Sequence, residues 1–253
     1  MAYNGCFSLS ERCMRRILTV SLSLAAMLTA APAMADWQGK VEAGVVFSRG
    51  NTETTTANGK LDMANDLEKW KHAALLAALY AENENSLTGE AETSAERYEA
   101  RWQSDYKFTP RAYWFGGLRY ERDEFSGFDY QASASTGVGY RFIDTERTKF
   151  YGQAGVGYKK LRDSLTREED DDIIFRGDLG YERQLTANTK LVDKLIVESG
   201  ATNTFVGNDL ELAVMMSERF GLSLGYGVRY NSDPSPGLKS TDTLMTVNLT
   251  YSF

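Results

Sequence analysis

The chain ends in Leu244-Met-Thr-Val-Asn-Leu-Thr-Tyr-Ser-Phe253, and this stretch decides the fold. With Thr243 ahead of it, Met245, Val247, Leu249, Tyr251 and Phe253 occupy one face of an extended strand. Leu244, Thr246, Asn248, Thr250 and Ser252 occupy the other. One apolar and one mostly polar face at a period of two is the pattern of a half-buried strand. A strand of this kind at a chain end needs a partner, and its apolar face points either to a core or to lipid.

Working outward, the same alternation recurs. Its clearest case is Arg97 to Lys107, where Tyr98, Ala100, Trp102, Ser104 and Tyr106 alternate with Arg97, Glu99, Arg101, Gln103, Asp105 and Lys107. Further stretches run over 37–47, 57–63, 70–81, 113–121, 130–142, 150–158, 173–181, 190–199, 206–216 and 222–230, giving twelve with the C-terminal one. The stretch 190–199 is the least regular, because Leu191, Leu195 and Val197 share a face with Asp193. The connections near 66–69, 108–111, 143–148, 185–189 and 217–221 are short. Those near 82–96, 122–129, 161–172, 199–205 and 231–241 are mostly longer and more polar. Alternating short and long connections, with aromatics at the ends of the apolar faces, describe a transmembrane antiparallel up-and-down β-barrel. An even strand number puts both termini on the periplasmic side and lets the last strand close against the first, which removes the edges that lipid does not tolerate.

The start reads as a leader. Arg15 and Arg16 precede an apolar run from Ile17 to Ala30, and Ala33-Met34-Ala35 is a small-x-small cleavage site. Residues 1–35 are therefore expected to be a signal peptide and residues 36–253 the barrel. Met14 alone would begin a well-proportioned signal, which makes residues 1–13 a candidate start-site artefact. Removing the leader takes three arginines and one glutamate from 28 basic and 35 acidic residues, leaving a formal charge of −9. That balance excludes nucleic acid as a partner and leaves no polybasic surface. Cys6 and Cys13 leave with the leader, so no disulfide, thiolate nucleophile or Cys-based metal site is expected.

Ser48-Arg-Gly-Asn-Thr52, Arg97-Tyr98, Ser104-Asp-Tyr106, Tyr113-Trp-Phe-Gly116 and Arg119-Tyr-Glu-Arg-Asp-Glu-Phe-Ser-Gly-Phe-Asp-Tyr130 resemble the YdiY-like domain family of unknown function, often called salt-induced outer membrane proteins. Gly137-Val-Gly-Tyr-Arg141 and Ala154-Gly-Val-Gly-Tyr158 fit the same pattern. Arg49 departs from it, since many members carry a smaller residue there. The resemblance spans the whole mature chain. It implies a Gram-negative cell outer membrane barrel in contact with lipid and lipopolysaccharide, and it transfers no catalytic residue, cofactor or metal.

The inward face gives the lumen candidates: Arg97, Glu99, Arg101, Asp105, Tyr113, Phe115, Arg119, Glu121 and Arg141. Interleaved signs point to paired side chains bracing the lumen, with a narrow, weakly selective pore as the other reading, because a charge-selective pore prefers a ring of one sign. Tyr113 and Phe115 are expected to fold over Gly137 and Gly139 of the neighbouring strand. The acidic outer segment Glu168–Asp172 lacks the spacing that wraps one calcium. Val247, Leu249, Tyr251 and Phe253 read as the signal recognised by the barrel-assembly machinery. His72 is the single histidine of the chain. Barrel phospholipases and proteases pair a histidine with Ser or Asp; His72 is followed by Ala73-Ala74 and falls on the outward face near the periplasmic end of its strand, so it reads as an interfacial aromatic. The expectation is a monomer that is not an enzyme.

Overall fold

Alternation at a period of two, punctuated by polar turns, produces twelve strands in the computed structural model. It describes residues 37–48, 52–85, 91–123, 128–164, 166–234 and 239–253. The expected leader, residues 1–35, lies outside the described residues, as do Arg49 to Asn51. The strands are β1 (Gln38–Ser48), β2 (Thr52–Asp66), β3 (Trp70–Asn85), β4 (Ala91–Lys107), β5 (Ala112–Asp123), β6 (Phe128–Asp144), β7 (Thr148–Asp163), β8 (Glu169–Gln184), β9 (Thr189–Ser199), β10 (Thr204–Met215), β11 (Phe220–Asn231) and β12 (Thr241–Ser252). Each pairs antiparallel with its sequence neighbour, and β1 pairs with β12, closing the barrel.

The closing seam runs from Lys40 opposite Ser252 to Ala43 opposite Leu249, four register pairs against eleven between β11 and β12. Below it, the amide of Gly39 donates to the Phe253 carbonyl at 3.0 Å and the Phe253 amide donates back at 2.9 Å. A side chain at position 39 would meet the Phe253 ring, so glycine there seats the terminal aromatic over the seam.

Several strands outrun their apolar stretches. The segment 82–96 reads as a loop, yet β3 continues to Asn85 and β4 begins at Ala91. In the same way β7 and β8 extend to Asp163 and from Glu169. Apolar patterning reports where the surface is greasy, whereas the hydrogen-bonded ladder continues into water once the hairpin is in register. Beyond the greasy band, Tyr130 and Lys160 bind Glu169 at 3.1 and 2.5 Å, and Asp172 accepts the Thr202 amide at 3.0 Å. The acidic segment is thus tied to its neighbours.

The fold is inside out relative to a soluble domain. Leu118, Val138, Val156, Ile173, Phe175, Met245, Val247 and Leu249 are exposed, while Glu42, Glu99, Arg119, Glu121, Glu198 and Asn248 are buried. Aromatic contacts mark the outward face near the short turns: Trp70 with Tyr106 (5.1 Å between centroids), Phe142 with Phe150 (5.3 Å) and Phe220 with Tyr251 (5.1 Å). Towards the long connections, Tyr120 stacks on Tyr130. A closed barrel with a greasy exterior between two aromatic belts is the arrangement that lipid requires.

Candidate functional site: the braced lumen

Alternation along β4 and β5 sends every second side chain inward, and antiparallel register sets them side by side. Glu99 stands opposite Glu121, Arg101 opposite Arg119, Asp105 opposite Phe115 and Lys107 opposite Tyr113. Two acids and two arginines at adjacent levels of neighbouring strands make mutual neutralisation the stable arrangement. Glu99 accepts from Arg101 at 2.6 Å and from Arg119 at 3.0 Å, and Arg119 also binds Glu121.

Arg119 also reaches away from its own wall. Its Nη1 donates to Glu198 of β9 at 3.4 Å, and its guanidinium carbon lies 4.3 Å from the centroid of the Phe205 ring of β10. Glu198, fully buried, further accepts from Ser133 at 3.1 Å and faces Lys159 at 3.8 Å and Arg176 at 3.9 Å. Arg176 in turn is held bidentately by Asp178, at 2.9 Å on each oxygen. β5 and β9 are four strands apart around the barrel, and β5 and β10 are five. These contacts therefore cross the lumen. Phe128, Leu161, Ile174, Ile196 and Phe205 are also buried, so the brace includes an apolar part.

A second brace lies nearer the short turns. Lys40 of β1 binds Glu211 of β10 and lies 2.5 Å from Glu42, while Lys194 of β9 bonds Asp62 of β2 at 3.0 Å. Going round by β1, β12, β11 and β10, β2 and β9 are five strands apart. A round barrel of twelve strands tilted by about 40° is about 24 Å across. An Asp–Lys ion pair spans no more than about 13 Å between Cα atoms. The section is therefore oval, pinched where β2 faces β9.

The other sequence candidates fall into three places. Arg97 is half-buried at the outer end, opposite Asp123. Asp105 accepts from Gln103 at 2.8 Å, and Gln103 and Tyr113 both donate to Gln153 of β7 at 3.2 Å. Arg141 lies at the lower rim, donating to the Pro110 carbonyl at 3.0 Å with its guanidinium carbon 5.3 Å from the Tyr113 ring centroid. The Tyr113 ring covers Gly139, as expected. Gly137 stands directly opposite Phe115, and on its other side a side chain there would meet the backbone of Ala154 and Gly155, so glycine also serves close strand approach. Phe115 is fully buried.

Sequence reasoning missed Glu198, Lys159, Lys194 and Phe205 as lumen members. Strict alternation against Val197, Tyr158, Leu195 and Val206 carried the signal for all four. It also missed that His72 has a partner. Ser104, directly opposite on β4, has its Oγ 2.9 Å from His72 Nδ1, so the reading of a lone histidine does not hold.

The fold and its interior define a class: a closed twelve-stranded β-barrel, greasy outside and ion-paired inside. Residues 41–253 match the family described as "Protein of unknown function, DUF481", and the chain belongs to that family. It is 27% identical over 225 residues to "Uncharacterized protein YdiY" of Escherichia coli (strain K12), covering 88% of this chain and 85% of that protein. Among solved structures it is similar to the NanC porin (TM-score 0.47, 12% identity, 85% of this chain and 97% of that one). It is also similar to the translocator domain of the autotransporter NalP from Neisseria meningitidis (TM-score 0.47, 12% identity, 96% and 95%) and to the KdgM porin (TM-score 0.42, 10% identity, 86% and 99%). Likenesses this distant carry nothing about function.

Proposed function

We propose that this protein is a monomeric barrel of the Gram-negative outer membrane whose lumen is braced shut in its outer half. In this reading the turns near 66–69 and 108–111 face the periplasm and the long connections face lipopolysaccharide. The observation that carries it is Arg119, which binds Glu99, Glu121 and Glu198 and stacks on Phe205 across the lumen. The role is that of an envelope component, and its link to salt or osmotic stress comes from the family resemblance.

A narrow, weakly selective pore is the second reading. It is favoured by the lower lumen, where Lys40, Lys60 and Lys194 keep 25%, 27% and 40% of their side-chain surface exposed. In the braced reading that space is a vestibule closed above by Glu198 and Phe205. Planar-bilayer recording separates the two: folded wild-type protein is expected to stay silent, and regular discrete steps would establish the pore.

The C-terminal residues Val247, Leu249, Tyr251 and Phe253 present the alternating outward face that the barrel-assembly machinery is proposed to read. Deleting Phe253 is expected to lower outer-membrane yield about tenfold, while the heat stability of barrels that do assemble changes little. The two amide–carbonyl bonds at Gly39 are lost with it, each a net contribution of only about 1 kcal/mol. Quantitative immunoblotting of membrane fractions checks this, and an unchanged yield would refute the assembly role.

A further inference from the structure

On the outer face of β2 to β5, at the level of the periplasmic aromatic belt, four residues stand in one row. Asn65 is opposite His72, His72 opposite Ser104, and Ser104 opposite Gly116. Their neighbours on this face are the ones a lipid surface predicts: Met63, Trp70, Trp102, Tyr106, Trp114 and Leu118. The row itself is polar and ordered. His72 Nδ1 lies 2.9 Å from Ser104 Oγ, which also accepts from the indole N–H of Trp102 at 3.0 Å. The imidazole is held between two rings, stacked on Trp70 at 6.0 Å and on Trp102 at 5.9 Å. On its other side, Asn65 carries a buried Oδ1 with no hydrogen-bond partner. Directly opposed positions keep their Cβ atoms about 5 Å apart, which makes Asn65 the neighbour of His72 on the side away from Ser104. Beyond Ser104, Gly116 leaves open space: a side chain there would meet nothing within 4 Å.

We infer that Asn65, His72 and Ser104 form a hydrolytic site for acyl esters, open to the membrane on the outside of the barrel. The substrate class is a glycerophospholipid of the inner leaflet, with an acyl chain lying over Gly116 between Trp114 and Leu118. This inference rests on the outer-membrane orientation proposed above, because that orientation sets the row at the phospholipid leaflet. An aromatic belt explains the rings; it does not explain a Ser–His hydrogen bond with an unpaired, buried amide oxygen on the next strand of the same row. A nucleophile, a base within hydrogen-bond reach and a third group orienting the base are the parts that acyl transfer needs.

The chemistry balances with water as co-reactant. Ser104 Oγ attacks the ester carbonyl carbon while His72 Nδ1 takes the hydroxyl proton. The carbon–oxygen bond to the glycerol then breaks, the His72 proton passes to the departing alkoxide, and a lysophospholipid leaves an acyl-Ser104. Interfacial water next adds to the acyl carbon, giving its proton to His72, which returns it to Ser104 Oγ as the fatty acid departs. Asn65 is a positioning residue: its free Oδ1 turns, when substrate binds, to accept the Nε2–H that the basic tautomer requires.

The test uses the full mature barrel folded in detergent, with heat-dependent gel mobility reporting the fold. It is treated with a fluorophosphonate label and, separately, mixed with diacyl phosphatidylethanolamine vesicles whose products are read by mass spectrometry. Wild type is expected to take the label and release fatty acid and lysophospholipid. Ser104→Ala should lose both, and His72→Ala should fall about 100-fold or more in hydrolysis. Asn65→Ala should lose about tenfold in kcat at unchanged KM, with Asn65→Asp restoring most of it. Ser217→Ala, at a remote turn, should behave as wild type.

A barrel with normal heat-dependent mobility that neither labels nor hydrolyses above Ser104→Ala overturns the site and leaves the barrel reading standing. Labelling that persists in Ser104→Ala also overturns it. Loss of the mobility shift in wild type overturns the membrane-barrel reading, and the site with it.

Discussion

Replacing Arg119 with alanine is expected to cost about 3–5 kcal/mol of stability and to open a conducting path. Arg119 side-chain exposure is 1%, and it neutralises carboxylates whose own exposures are 3%, 4% and 0%. Removing one member of a buried ion network leaves the others uncompensated, and that penalty exceeds what the pairing itself contributes. The lost guanidinium also vacates the space between Phe205 and the β5 wall, so water enters to solvate Glu99, Glu121 and Glu198. Arg119→Met separates the two effects. It keeps most of the volume and removes the charge, so it should be destabilised to a similar extent yet conduct less. Urea-dependent loss of heat-dependent mobility reads the stability, and bilayer recording reads the opening. Equal stability of Arg119→Ala and wild type would show that the network is not a brace.

Gly137→Ala is expected to cost about 3 kcal/mol, the upper end of what overpacking costs, enough to lower the yield of folded barrel sharply. Gly137 of β6 faces Gly155 of β7, and the two backbones approach so closely that a methyl group at either position would collide with the other strand. The obstacle is backbone, which cannot turn aside as a flexible side chain does, so β6 and β7 must separate or lose register. Gly116→Ala on the outer face meets open space and should fold normally. The contrast distinguishes close approach from the general cost of replacing a strand glycine. Equal yields of the two variants would remove the argument.

Much of this architecture was legible in the sequence because a strand exposes its periodicity residue by residue. The alternation of Arg97 to Lys107 places each of its charges inward, and the polar turns set the hairpins. Strand ends were less legible, since Glu82 and Glu84 carry no apolar signal although the ladder continues through them. The lumen network was half visible. Glu99, Arg101, Arg119 and Glu121 lie on one hairpin, where register follows from the turn. Their contacts with Glu198 and Phe205 depend on the oval section, a property of the closed barrel that no local pattern encodes. Asn65, His72 and Ser104 also follow from hairpin register, but reading them requires the strands to be aligned first. Asp193 sits on the outer face as its irregular pattern suggests, and the structure gives it Asn208 at 2.7 Å on the next strand.

The central claim is that side chains crossing the lumen hold it shut. The most direct measurement is planar-bilayer recording of purified wild-type protein whose heat-dependent mobility confirms the folded barrel, beside Arg119→Ala under the same salt and voltage. The account predicts a silent wild type and discrete steps from the variant. Steady, voltage-independent steps from the wild type, unchanged by Arg119→Ala, would contradict it.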